Sequence, residues 1–318
     1  MSPVAWREGG HFRRPMSQAE AEALVAGHKS LERKIFRKRS IDLLGELFHR
    51  LCMHLEVVTL VECGAREASA SARFVGAGLK RRAVAFEANP YTYAEFTEKV
   101  SGPRLITVAE GLGEDVGVLD LAIPKRGQGL PTAGCASFRP SGSSEDFTTV
   151  SVPVTTLDRA VNRFAITAPV ALWIDVEGTA REVLRGGEML LQESAEMVLI
   201  ELETEQFWKG AALAPELAEM LHAHNFVPVA RDFQAEHQFN VLYLKASRVD
   251  ASQPLVERYM FAMLRPVSAA ERLRFSSGRS FRRLGRAVAR KSHLLISAGV
   301  SAFKAITRRQ APYDGPAE

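Results

Sequence analysis

The chain is 318 residues long, 46% hydrophobic and 25% charged, with a net charge of +4 at neutral pH. Those values fit one large α/β body with additions, or two small domains, and exclude both a disulfide-stapled miniature and a disordered chain. The charge is uneven, +4 over residues 1–50, −9 over 51–250 and +9 over 251–318, so an acidic body lies between basic ends, unlike a domain built around a nucleic-acid groove.

The cysteines Cys52, Cys63 and Cys135 stand in no metal-ligand spacing. A sparse, odd set in a chain of this length suits a reducing compartment. Asp175, Glu177 and Glu201 could bind a divalent ion, but nothing in their spacing requires one, and no metal is expected. The first residues carry no apolar signal core, and no apolar run reaches the roughly 18 residues of a spanning helix. The expected location is cytoplasmic.

Residues 1–50 read as an N-terminal helical extension. Ser17 and Glu20 form a capping-box pattern, and Leu31, Ile35, Ile41, Leu44, Leu47 and Phe48 recur mostly at helical spacing. Residues 51–250 then alternate. Short apolar runs at 57–61, 83–87, 104–110, 117–124, 149–158, 169–178 and 196–203 read as strands, most of them followed by helical stretches such as 180–192 and 214–225. That alternation predicts βαβ units and a mostly parallel sheet covered on both faces. The last two runs, 226–230 and 239–245, are joined by RDFQAEHQ. A connection that short predicts a hairpin, so the final strand should be antiparallel. Residues 251–318 become basic and amphipathic, with Phe281, Leu284 and Val288 on one helical stripe. They read as a helical C-terminal extension, either packed on the acidic body or lying on an anionic membrane surface.

Ligands of doubly wound sheets bind beyond the carboxyl ends of the strands, so the loops there carry the chemistry. After the first strand come Glu62, Cys63, Gly64 and Ala65. A glycine there lets backbone approach a cofactor, and the acid before it can receive an ammonium group. The second strand ends on Glu87, followed by Ala88 and Asn89. A strand-end carboxylate about 20 residues beyond a glycine loop can accept from both ribose hydroxyls of a nucleoside. Gly111 and Leu112 follow the third strand and are candidates to lie beside a base. Asp175 and Glu177 end a later strand, where two carboxylates repel unless a ligand or charge offsets them. They are candidates for cofactor binding and catalysis, with a helix N-terminus as the structural alternative. Glu201 and Glu203 point to the same rim, and His237 in the hairpin is a third candidate base.

Taken in order, ECGARE, AFEANP, GLGED, GCAS, VTTLD and IDVEG followed by VLRGGEMLL resemble the FkbM-type methyltransferases over about residues 56–245. The resemblance implies a Rossmann-like class I fold with a seven-stranded sheet and S-adenosyl-L-methionine as donor. It also implies methylation of a hydroxyl on a sugar, glycolipid or related acceptor. Carried over, Glu62 and Gly64 fall in the cofactor loop, Glu87 at the ribose, and Asp175 and Glu177 at the centre of the site. The first loop departs from the family pattern DVGANxG at Glu62, Arg66 and Ala68. Two other readings stay open on the residues alone: a nicotinamide-dependent oxidoreductase, and a non-catalytic module that keeps the fold.

Overall fold

The structure, a computed structural model, describes residues 30–125, 136–139 and 147–276. The capping box at Ser17, the apolar stripe from Phe281 to Val288 and Cys135 lie outside the described residues.

Strand β1 (Thr59–Cys63) is buried along its whole length, as the central strand of a sheet covered on both faces must be. It pairs in parallel with β2 (Arg82–Phe86) on one side and β7 (Val170–Ile174) on the other. The full order is β3-β2-β1-β7-β8-β10-β9, with β3 Leu105–Val108, β8 Ala195–Glu203, β9 Phe226–Arg231 and β10 Gln238–Lys245. Strand β10 runs antiparallel to both neighbours. The stretch 232–237 can turn the chain back but cannot span a crossover. The sheet is therefore doubly wound, seven-stranded and mostly parallel, as the alternation predicts.

Side chains alternate between two cores. Leu60, Ala83, Ala85, Ala171, Leu199 and Leu242 face helices α1 (Ser30–His54), α2 (Ser69–Gly76) and α7 (Ala246–Leu264). Val61, Val84, Phe86, Leu172, Val198 and Ile200 face α3 (Leu157–Arg163), α4 (Ala180–Arg185), α5 (Glu188–Glu193) and α6 (Ala214–Ala223). Two helices read as extensions thus help build the body. Leu44, Leu47, Phe48 and Leu51 of α1, and Val249, Val256 and Met263 of α7, are buried on the sheet. Their charged outer faces made both segments look like solvated additions. The described residues divide into a large unit, 36–265, and a small one pairing 30–35 with 266–276, where Arg272 Nη1 lies 3.0 Å from Glu32 Oε1.

Two departures from the expected elements matter for the site. The helix expected over 180–192 is broken at Gly186-Gly187. A methyl group on Gly186 would lie 2.0 Å from the Gly113 carbonyl oxygen, so the chain bends there to let two backbones touch. Strands β4 (Gly111–Leu112), β5 (Gly117–Pro124) and β6 (Phe147–Thr155) leave the main body and form a second sheet of order β4-β6-β5. Its inner face packs Leu121, Ile123 and Val152 with Phe138. The outer face of β5 is open, with Val118 67% exposed, which a strand inside the doubly covered sheet could not be.

Candidate active site

Strand order reverses between β1 and β7, and a cavity of about 340 Å³ opens beyond their carboxyl ends, where such sheets place ligands. The loop after β1 forms one wall. Gly64 has φ +80°, and its N–H donates to the Phe86 carbonyl at 3.0 Å. A methyl group on Gly64 would sit 2.0 Å from the Asp175 carbonyl oxygen, so only glycine fits. Arg66 and Ala68 are left-handed as well, at φ 47° and 48°.

Glu62 does not line this cavity. It is buried, and its Oε2 accepts from the Ser71 N–H at 2.8 Å, at the start of α2. Burial pushes its carboxyl up to about 7, from an ordinary 4.5. The folded protein therefore holds a proton that the unfolded chain releases near 4.5, so this stabilisation is complete below 4.5 and fades as pH rises toward 7. Glu62→Gln keeps an oxygen for Ser71 without the charge. Unfolding by denaturant should show it equal to the wild type near pH 4.5. Near pH 8 it should be more stable, on the order of 3 kcal/mol; no gain there would remove Glu62 as the source of the pH dependence.

Glu87 ends β2 beside the cavity. Its Oε2 accepts from the Arg66 N–H and its Oε1 from the Asn89 N–H, both at 2.8 Å. Burial raises its carboxyl pKa, while those two N–H groups and Arg66 pull it down. Each oxygen is held by one donor and keeps further accepting capacity. Asn89 accepts from the Tyr91 and Thr92 N–H groups and caps the helical turn Pro90–Thr92. Gly111, Leu112 and Leu121 form an apolar wall with Phe138. A methyl group on Gly111 would lie 2.5 Å from the Phe138 ring. Ser137 ties this segment down by donating to the Glu177 carbonyl at 2.6 Å.

The opposite end is acidic. Asp175 is exposed to the cavity. The surrounding walls exclude enough water to raise its carboxyl pKa, repulsion from Asp232 adds to the rise, and Arg66 opposes it. Glu177 Oε2 accepts from the Trp208 indole N–H at 3.0 Å, and Trp208 packs over Gly178, whose φ is +73°. Glu201 accepts from Gln234 Nε2 at 3.3 Å and Gln238 Nε2 at 2.9 Å. Burial, then repulsion from Asp175 and Glu177, raises its carboxyl pKa. Glu203, buried and beside Glu177, is pushed up to about 7. Glu177, Glu201 and Glu203 bring one oxygen each within 4.8 Å of one another, a spacing that can hold a hard divalent cation.

Of the residues singled out in the sequence, the cavity gathers Gly64, Glu87, Ala88, Asn89, Gly111, Leu112, Asp175 and Glu177. It does not gather Glu62, Ala65 or His237. His237 Nδ1 lies 3.1 Å from the Thr204 hydroxyl, and its Nε2 faces Glu205 and Glu236. Gln234, Gln238, Thr179, Ser137 and Phe138 join the walls. The two glutamines carried no motif; only their place in the hairpin after β9 pointed there. Cys52 and Cys63 are free and buried, and burial raises both thiols.

The sequence profile of the methyltransferase FkbM domain matches residues 62–228. No curated protein sequence matches the chain. Solved structures similar to it include precorrin-6y C5,15-methyltransferase from Geobacter metallireducens, at 12% identity over 63% of this chain and 87% of that one, TM-score 0.35. Magnesium protoporphyrin IX methyltransferase from Synechocystis matches at 9% identity over 71% and 90%, TM-score 0.38. A SAM-dependent methyltransferase from Aquifex aeolicus matches at 11% identity over 72% and 98%, TM-score 0.35.

Proposed function

The chain belongs to the FkbM methyltransferase family and is an S-adenosylmethionine-dependent methyltransferase; from that premise we propose that it methylates a hydroxyl oxygen of a sugar, glycolipid or related polyhydroxylated small molecule. The observation that carries this reading is the wall of Glu177, Glu201, Gln234 and Gln238 at one end of the cavity. Carboxylates accept from hydroxyls and carboxamides both donate and accept, so a neutral polyol finds partners in every orientation. An anionic acceptor would be repelled by the same wall.

The walls suit the donor. Glu87 keeps accepting capacity on both oxygens, Gly64 presents bare backbone, and Leu112 and Phe138 offer apolar surface for a purine. We assign Glu87 to the ribose hydroxyls, with Ala88 and Asn89 beside it, Gly111 and Leu112 to the adenine, and Asp175 to the ammonium. The cofactor, when bound, supplies an electrophilic methyl group. Glu177 accepts the acceptor's hydroxyl proton, and its indole bond to Trp208 fixes the carboxylate for that task. Glu201, aimed by two carboxamides, orients the acceptor.

The basic C-terminal stretch favours a cytoplasmic enzyme that meets its acceptor at an anionic membrane surface. Among the described residues no helix is long and apolar enough to cross a membrane.

The test is transfer of labelled methyl from S-adenosylmethionine to neutral glycans, uronic-acid glycans and amines. Label should enter the neutral glycans as an alkali-stable ether. Label confined to alkali-labile esters, or to nitrogen, would overturn the hydroxyl assignment.

A further inference from the structure

The acidic cavity also holds an arginine. Arg66 stands where the family pattern has asparagine; it is among the residues that line the cavity, and its charge acts on both Glu87 and Asp175 there. It is the only Lys or Arg among the lining residues, against Glu87, Glu110, Asp175, Glu177 and Glu201. Its backbone is held on both sides. The N–H donates to Glu87 Oε2 at 2.8 Å, and the carbonyl accepts from the Thr97 hydroxyl. Its guanidinium, by contrast, makes no hydrogen bond or ion pair among the described residues. The chain thus fixes the Cα in a left-handed conformation that arginine adopts at a cost, and among the described residues the side chain has no hydrogen-bonded partner.

We propose that Arg66 is the receptor for the α-carboxylate of the cofactor's amino-acid end, and that this one residue makes the site selective for carboxylate-bearing S-adenosyl ligands. The inference rests on the cofactor reading above. A zwitterionic end group needs one anion and one cation. Asp175 and Arg66 stand close enough for their charges to act on each other, and both line the cavity. A guanidinium presents a fork of donors that matches a carboxylate in two parallel hydrogen bonds. Among the described lining residues there is no other Lys or Arg to receive an anion, and Glu110 is already held by Arg163 at 2.6 and 2.7 Å. The sulfonium of the donor is positive, so an arginine here helps only if it meets the carboxylate.

The experiment compares S-adenosylmethionine with its decarboxylated form, which differ only in that group, by calorimetric titration without acceptor. Arg66→Asn is the informative variant, because asparagine tolerates the left-handed backbone. Its fold is checked by thermal unfolding. The wild type should prefer S-adenosylmethionine by about 10- to 100-fold. Arg66→Asn should lose most of that preference, with binding of the decarboxylated form little changed, and Arg66→Lys should fall between. An unchanged preference in Arg66→Asn, or an equal loss for both ligands, would overturn the assignment. A wild type that binds neither ligand would instead bring down the cofactor reading on which it rests.

Discussion

Gly64→Ala should unfold more readily than the wild type, by on the order of 3 kcal/mol, and should lose cofactor binding. Two costs add. The backbone at φ +80° is left-handed, which disfavours any residue with a β-carbon by about 1–2 kcal/mol. The added methyl would also sit 2.0 Å from the Asp175 carbonyl oxygen and 2.9 Å from its carbon. Those are backbone atoms, so no side chain can rotate away. Either β1 and β7 separate at their ends, breaking the Asp175 N–H bond to the Cys63 carbonyl at 2.9 Å, or the loop carrying Arg66 moves off Glu87. Both displace the cavity wall. Chemical denaturation with an S-adenosylhomocysteine titration reads both effects. Gly45→Ala is the comparison, since its methyl meets nothing closer than Trp173 at 3.8 Å. A Gly64→Ala protein as stable and as well liganded as that one would show the strand ends to be pliable.

Glu177→Gln should lower the methyl-transfer rate by about 10²- to 10⁴-fold, the range of a lost general base. Cofactor affinity should change little, because none of the assigned cofactor contacts lies on Glu177. Glutamine keeps an oxygen for the Trp208 indole, so the loop after β7 should stay in place and the loss can be read as chemistry. With Asp175 assigned to the cofactor, His237→Ala separates the two remaining candidate bases. His237 is engaged with Thr204 outside the cavity walls, so that variant should keep the rate within about tenfold, far from the loss of a base. The reverse pattern, with Glu177→Gln active and His237→Ala inactive, would transfer the role to His237.

The family match also decides against the nicotinamide-dependent reading that the residues left open. A nicotinamide enzyme and this one share a strand-end acid near the ribose, which is why Glu87 alone could not separate them. The match of the methyltransferase FkbM domain over residues 62–228 does separate them.

Some of the site was legible because it lies at a position that a strand dictates. An apolar run ending in a carboxylate places that carboxylate at the sheet's carboxyl edge, which located Glu87, Asp175 and Glu177 without coordinates. The same rule could not distinguish Glu62 from them. Glu62 also closes the first strand region, but it lies within β1, one residue before its end, and its side chain turns to the start of α2. Inward and outward differ by one residue in a strand, and sequence does not show which way a polar residue in a fully buried strand faces.

By itself the sequence determined the alternation of strands and helices, the antiparallel return of β10 and the carboxylates at the strand ends. Each follows from local periodicity or from a connection too short for a crossover. Only the tertiary structure decided that β4, β5 and β6 form a sheet of their own, that α1 and α7 belong to the core, and that Gln234 and Gln238 converge on Glu201. These are contacts between residues far apart in the chain or across a hairpin, and no periodicity encodes which distant surfaces meet when the apolar faces are buried.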